Sequence, residues 1–259
     1  MTTLPVSVFI IALNEGDRIG RSIESVRGFA DEVIVIDSGS TDDTVKISEA
    51  AGARVIHHGW PGYGAQKRFG EEQCRHDWLL NIDADEVVSA GLAEEIRAVF
   101  AGGTPEHSGY AMNIVALLPG EKKPGRFAHH VNAVRLYDRR CGRFRDSSVH
   151  DTVVMDKGTT GAFSAIVEHR SARGIAHSIE KINRYSTMQA EDMLRRGRRP
   201  PFLMARLFFE FPAGFFKTYV FRGHCFKGTY GFIDAVLYGF SRFARLAKYW
   251  EMTTKRSGS

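Results

Sequence analysis

The chain has 259 residues, 43% of them hydrophobic, enough to bury a core without disulfide or metal staples. Its three cysteines, Cys74, Cys141 and Cys225, are odd in number and widely spaced, which excludes a disulfide framework or a zinc pattern and suits a reducing cytosol. The net charge of +5 conceals a division: residues 1–169 carry −6 and residues 170–259 carry +11, so an acidic part precedes a basic, aromatic part suited to meeting anions.

Residues 6–13 form an apolar run with no basic flank, and Asn14-Glu15 follows at once. That pattern reads as a buried first strand rather than an export signal. Ile19, Ile23, Val26 and Ala30 recur at helical spacing. Residues 32–37 are a second strand ending on Asp37. Ser38-Gly39-Ser40-Thr41 turns into a helix with Asp42 and Asp43 in its first turn, where the dipole favours acids, and Gly52 closes it. Residues 54–58 read as a short strand, 59–64 as a loop and 66–74 as a helix. The run Trp78-Leu79-Leu80-Asn81-Ile82 is a fourth strand, and it delivers Asp83-Ala84-Asp85. Leu92, Ile96 and Val99 mark another helix. This order predicts an α/β fold, a Rossmann-like, mostly parallel sheet flanked by helices.

The rhythm changes after Gly102. Residues 109–115 and 131–137 read as strands separated by a long loop of the kind that often carries function. Residues 178–196 form a helix stopped by Gly197, and Pro200-Pro201 breaks the chain. Helices are expected over 202–221 and 228–251, and a disordered tail over 253–259. The aromatic segment 202–221 is interrupted by Arg206, Glu210 and Lys217, and no run reaches the length of a membrane span.

The paired aspartates carry the sharpest chemical signal. Side chains at i and i+2 of an extended segment point the same way. Two carboxylates on one buried rim are costly unless a cation joins them. A hard cation reconciles them, and a diphosphate is its common partner. In a parallel sheet Asn14-Glu15 and Asp37 fall on the same carboxyl edge, where α/β sheets bind ligands.

Three blocks carry a family likeness: residues 9–15 (FIIALNE), 35–44 (VIDSGSTDDT) and 83–86 (DADE). They resemble the signatures of family 2 glycosyltransferases, inverting enzymes with a GT-A fold. Arg135-Leu136-Tyr137, Val149-His150-Asp151 and the stretch through Ala247-Lys248-Tyr249-Trp250-Glu251 are similar to the lipopolysaccharide-core β-glucosyltransferase branch. The resemblance implies a catalytic domain over 1–175, with a nucleotide-sugar half (1–100) and an acceptor half (101–175), followed by a helical extension over 176–252. It implies a UDP-sugar site made by Ala12, Leu13, Asn14, Glu15, Asp37, Lys67, Asp83, Ala84 and Asp85. Asp37 would bond the uracil and the backbone of 12–14 would line it. Asp83 would reach ribose or metal-bound water, and Asp85 would ligate Mg²⁺ or Mn²⁺. Lys67 or Arg68 would add a positive contact to the diphosphate. Inverting transfer also needs a carboxylate base, assigned to Asp151, with Glu86 and Asp156 as lesser candidates. Similar enzymes often carry His-Glu where this chain has His150-Asp151, so the reach is one methylene shorter.

His129, His130, His150 and His169 have no zinc-ligand spacing; His150 or His169 is placed near the metal or phosphates. The implied reaction moves glucose from UDP-glucose to a lipid-linked core saccharide, in the cytoplasm at the inner face of the membrane. A sugar nucleotidyltransferase would place a glycine-rich loop where Leu13-Asn14-Glu15 stands, and a non-catalytic sugar-nucleotide or membrane-binding module would not need the aspartate pair. Arg195-Arg196-Gly197-Arg198-Arg199 precedes eight aromatic residues from Phe202 to Phe221. Two readings stand open here: residues 195–232 hold an anionic membrane surface, or the aromatics pack on the catalytic domain or on a second copy in a homo-oligomer. No nucleic-acid-binding motif is present.

Overall fold

The computed structural model describes residues 3–118, 121, 123–125, 128, 130–145, 152–171, 173–197 and 200–257. They fall into two compact units: residues 1–116 with 130–171, and residues 117–129 with 172–259.

The first unit begins with β1 (Leu4–Ala12), α1 (Ile19–Arg27), β2 (Ala30–Asp37), α2 (Thr44–Ala50), β3 (Arg54–His57), α3 (Tyr63–Gln73) and β4 (Trp78–Asn81). It continues through β5 (Glu86–Val88), α4 (Ala90–Ala101), β6 (Gly109–Ala116), β7 (His130–Asp138), β8 (Gly142–Phe144), β9 (Val153–Met155) and β10 (Thr160–His169). Eight strands form one sheet in the order β3-β2-β1-β4-β7-β6-β10-β5, and β8 pairs with β9. β3, β2, β1 and β4 are parallel, as are β6 and β10, while β7 and β5 run against their neighbours. The carboxyl ends of β1, β2, β4 and β10 therefore share an edge with the amino ends of β5 and β7.

Period-two alternation feeds both faces of this sheet. Val6, Val8, Ile10, Val33 and Val35 bury against Ile19, Ile23 and Val26 of α1 and Leu92 and Ile96 of α4. Phe9, Ile34 and Ile36 point the other way, beside Leu79, Tyr137 and Phe144, and Phe69 of α3 covers them. Each such side chain contributes roughly 1.5–3 kcal/mol when buried. A bare Cα at Gly70 lets α3 approach: a Cβ there would lie 2.7 Å from the Phe9 ring.

The second unit contains α5 (Ile175–Arg195), α6 (Leu203–Phe216), a π-helical turn (Lys217–Phe221), a 3-10 turn (His224–Phe226) and α7 (Gly228–Ser257). Both α5 and α6 pack on α7. Glycines bring α6 and α7 close, since a Cβ on Gly214 would stand 3.0 Å from the Gly239 Cα. Lys248 Nζ ties α7 to α5, 2.6 Å from the Asn183 carbonyl and 2.8 Å from Thr187 Oγ1. Among the described residues no helix is long and apolar enough to cross a membrane.

Several expectations need correction. Ala30 opens β2 instead of ending α1, and Asp42 and Asp43 precede α2 rather than lying in its first turn. α7 runs to Ser257, through residues expected to be disordered. There the Thr253 and Thr254 hydroxyls donate back to the carbonyls of Tyr249 and Trp250 in the preceding turn. The strands β5, β8, β9 and β10 were not foreseen.

Candidate active site

The loops after β1 and β2 are tied into one ledge. Asn14 takes a left-handed backbone, φ 54°, which short polar side chains tolerate. Its amide donates to Ser40 Oγ at 2.8 Å, and its Oδ1 accepts from the Thr41 amide at 2.8 Å. The Glu15 amide donates to Thr44 Oγ1 and the Gly16 amide to Asp42 Oδ2, at 2.7 and 3.0 Å. Ala12 pairs with Asp37 across the strands, and its carbonyl accepts from the Ser38 amide. Leu13 stays exposed. Asp37 is almost fully buried and accepts from the Gly39 and Ser40 amides at 2.9 and 3.0 Å. Gln66, buried on α3, donates to Ser38 Oγ and to the His58 carbonyl, bracing the ledge from below.

β4 stops at Asn81, earlier than the apolar run suggests, and the chain turns. The Glu86 amide donates to the Asp83 carbonyl, and the Asp83 amide donates to Glu86 Oε2 at 2.9 Å. Asp83 and Asp85 are thus not neighbours on an extended strand, and they have separate partners. Asp83 lies 2.9 Å from Lys67 Nζ and 3.3 Å from the Arg135 guanidinium. Lys67 is fully buried, its ammonium 5.2 Å from the Phe144 ring centroid. Arg135 also meets Glu86 at 3.2 Å and Asn81 Oδ1 at 2.6 Å. Burial by itself would raise the Asp83 pKa, but the charges of Lys67 and Arg135 outweigh it and hold the carboxyl well below the usual range. Glu86 moves the other way: burial pushes it up in spite of Arg135.

Asp85 faces His169 Nε2 at 3.2 Å and Arg18 at 3.7 Å. Pairing of β5 with β10 brings this about, since it sets His169 opposite Glu86, and the Arg170 amide then donates to the Asp85 carbonyl. Burial opposes ionisation of Asp85, yet the hydrogen bond and charge of His169 lower its pKa. Burial likewise opposes the charge on His169, and Asp85 outweighs it and raises the imidazole. Arg18 bonds Glu15 at 2.5 Å and donates to the carbonyls of Arg170 and Ser171, closing a ring from the β1 loop to the end of β10. Ala84 is buried, and its carbonyl accepts from Ser22 Oγ at 2.8 Å.

The carboxyl edge thus gathers Asn14, Glu15, Asp37, Asp83, Asp85 and His169. Asp151, His150 and His129 lie outside the described residues. His130 is exposed at the start of β7. Asp156 is removed as a base candidate: its amide donates to the Cys141 carbonyl, beside Asp138, which pairs with Trp78 at the opposite edge of the sheet. Glu86 is removed as well, buried and committed to Arg135 and the Asp83 amide. Arg68 donates to the Phe144 carbonyl. Among the described residues no three His, Cys, Asp or Glu side chains form a metal cluster. Sequence reasoning gave no role to Arg18 or Arg135. Arg135 had a readable signal, a lone charge inside the apolar strand 131–137, which requires a buried partner.

Residues 7–154 match the family described as Glycosyl transferase family 2. Over 96% of its length the chain is 39% identical to an uncharacterized glycosyltransferase of Rickettsia typhi, covering 88% of that protein. It is 33% identical over 254 residues to the lipopolysaccharide core biosynthesis glycosyltransferase LpsC of Rhizobium meliloti, covering 96% of this chain and 93% of that one. S. aureus TarS 1-349, solved in complex with UDP-GlcNAc, shares the fold at 13% identity with a TM-score of 0.50, covering 99% of this chain and 93% of that one. The α/β fold with its C-terminal helices is the expected one, and the chain belongs to glycosyl transferase family 2 and is a glycosyltransferase.

Proposed function

We propose that the enzyme transfers a hexose, glucose from UDP-glucose, with inversion to a sugar hydroxyl of a lipopolysaccharide core or another lipid-linked glycan, at the inner face of the cytoplasmic membrane. The likeness to LpsC supports the acceptor class. The observation that carries the site reading is the 3.2 Å contact of Asp85 with His169 at the carboxyl edge. Asp85 and His169 would hold a divalent ion, the mixed oxygen and nitrogen pair suiting Mn²⁺ better than the oxygen-preferring Mg²⁺. Such an ion supplies positive charge where the departing diphosphate gains negative charge.

Asp85 is ready for this role, since its neighbours already keep it ionised. His169 takes the ligand place first assigned to Asp83. Asp83, between Lys67 and Arg135, fixes the turn that presents Asp85. The ledge of residues 12–15 with Asp37 receives the uracil, Asp37 accepting its imide N–H. Asp151 takes the proton from the attacking hydroxyl as the new glycosidic bond forms and the bond to UDP breaks.

Transfer to a deacylated core oligosaccharide, followed by UDP release and by NMR of the product anomer, tests this. Asp151→Asn is expected to lower kcat by about 10²–10⁴-fold with the donor KM little changed. A wild-type rate in that variant removes Asp151 as the base. Release of pyrophosphate from a nucleoside triphosphate, in place of UDP, makes the protein a nucleotidyltransferase instead.

A further inference from the structure

α6 is built inside out. Its buried side holds Glu210, which meets Arg206 at 3.3 Å, Arg245 at 3.5 Å and Arg242 in a short ion pair. Its outward side carries Phe208 and Phe209, 75% and 69% exposed, followed by Phe216 at 56%. In a helix surrounded by water the polarity would be reversed. The π-helical turn extends the pattern. Its wide turn is closed by the Arg222 amide donating to the Lys217 carbonyl, and its last residue, Phe221, is 83% exposed. Phe226, in the next turn, is 79% exposed. Neighbouring large apolar side chains at this exposure mark an interaction surface rather than scattered surface residues.

Charge decides between occupants. Lys227 is already paired with Glu121 at 3.8 Å and His224 with Asp234 at 3.2 Å, but Arg206, Lys217, Arg222, Arg242 and Arg245 share a single acid in this layer, Glu210, which is buried against three guanidiniums. The layer beneath the aromatics therefore carries surplus positive charge. A second copy meeting this face across a two-fold axis would set like charges against each other. An anionic phospholipid surface complements both features, accepting aromatic rings at the headgroup boundary and pairing phosphates with the cations. The embedded ion cluster and the absence of a long apolar helix among the described residues mean that the segment lies on the bilayer and does not span it.

We infer that the outward face of α6 and of the turns after it docks on an anionic phospholipid bilayer, with the phenylalanines inserted among the headgroups. The inference holds whichever sugar is moved. Flotation of the full chain with phosphatidylcholine vesicles, with and without phosphatidylglycerol, tests it. The wild type is expected to float with the phosphatidylglycerol vesicles and to bind them more weakly as salt rises. The triple variant Phe208→Ser, Phe209→Ser, Phe221→Ser is expected to lose at least about tenfold in partitioning at unchanged Tm. Lys217→Glu is expected to weaken binding to the anionic vesicles while leaving the weak binding to phosphatidylcholine as it is. Failure of the wild type to float, or equal partitioning of the triple variant, overturns the inference. So does a dimer by sedimentation that the triple variant abolishes while vesicles stay unbound, because a second copy then covers the face. UDP release with a water-soluble acceptor, measured on the same variants, keeps this result separate from that of the proposed reaction.

Discussion

At the scale of single residues, the site rests on a buried ammonium. Lys67 lies fully inside the fold because Asp83 stands 2.9 Å away and Arg135 shares the same carboxylate. Removing one partner of such a pair leaves a charge without compensation. Lys67→Met should therefore cost on the order of 3 kcal/mol in urea unfolding, toward the low end for buried pairs because Asp83 keeps some solvent contact. The pH dependence has a definite sign. A depressed folded pKa means that the contribution of Asp83 is present above its unfolded value of about 3.9 and is lost as pH falls toward the folded one. Urea midpoints should show no pH dependence from this pair between about pH 5 and pH 7 and a loss in acid that Lys67→Met reduces. The cysteines give a second check. Burial pushes the Cys74 thiol up to about 12, whereas Cys225 is exposed. Thiol labelling at neutral pH should modify Cys225 and leave Cys74 untouched until denaturant is added.

At the scale of elements, close approach explains both stability and what could be read in advance. Helix α3 lies on the sheet only because Gly70 leaves space for the Phe9 ring. Gly70→Ala should cost about 1–3 kcal/mol by overpacking, seen as a lower urea midpoint with unchanged secondary structure. The first half of the sheet was legible because β1, β2 and β4 are apolar runs flanked by turn signals, and their acidic ends identified the edge. β10 was not legible. Its sequence, Thr160 to His169, mixes small, polar and charged residues, and its exposure alternates along an only partly covered stretch. Yet β10 carries His169, so the sequence could name His169 only as one of two histidines near the metal and could not single it out as the partner of Asp85. The direction of Asp83 was hidden for a related reason. Its turn is fixed by Glu86, three residues on, and by Arg135 from β7, a partner far away in sequence that no periodicity announces.

At the scale of the whole molecule, the division of charge visible in the sequence matches two differently built parts. One is a sheet whose carboxyl edge gathers acids, and the other is a set of helices with exposed phenylalanines and a buried glutamate ringed by arginines. The first is the part proposed to hold a nucleotide and its cation, the second the part proposed to hold a lipid surface. The claim at the centre is that Asp85 and His169 together grip a divalent ion against a nucleoside diphosphate. Thermal unfolding with UDP, with Mn²⁺ and with both measures it directly, because a ligand present at about a hundred times its Kd adds about 2.7 kcal/mol of apparent stability. The wild type should gain far more Tm from the two together than from either alone, and Asp85→Asn and His169→Ala should each lose that joint gain. An undiminished joint gain in both variants would contradict the account.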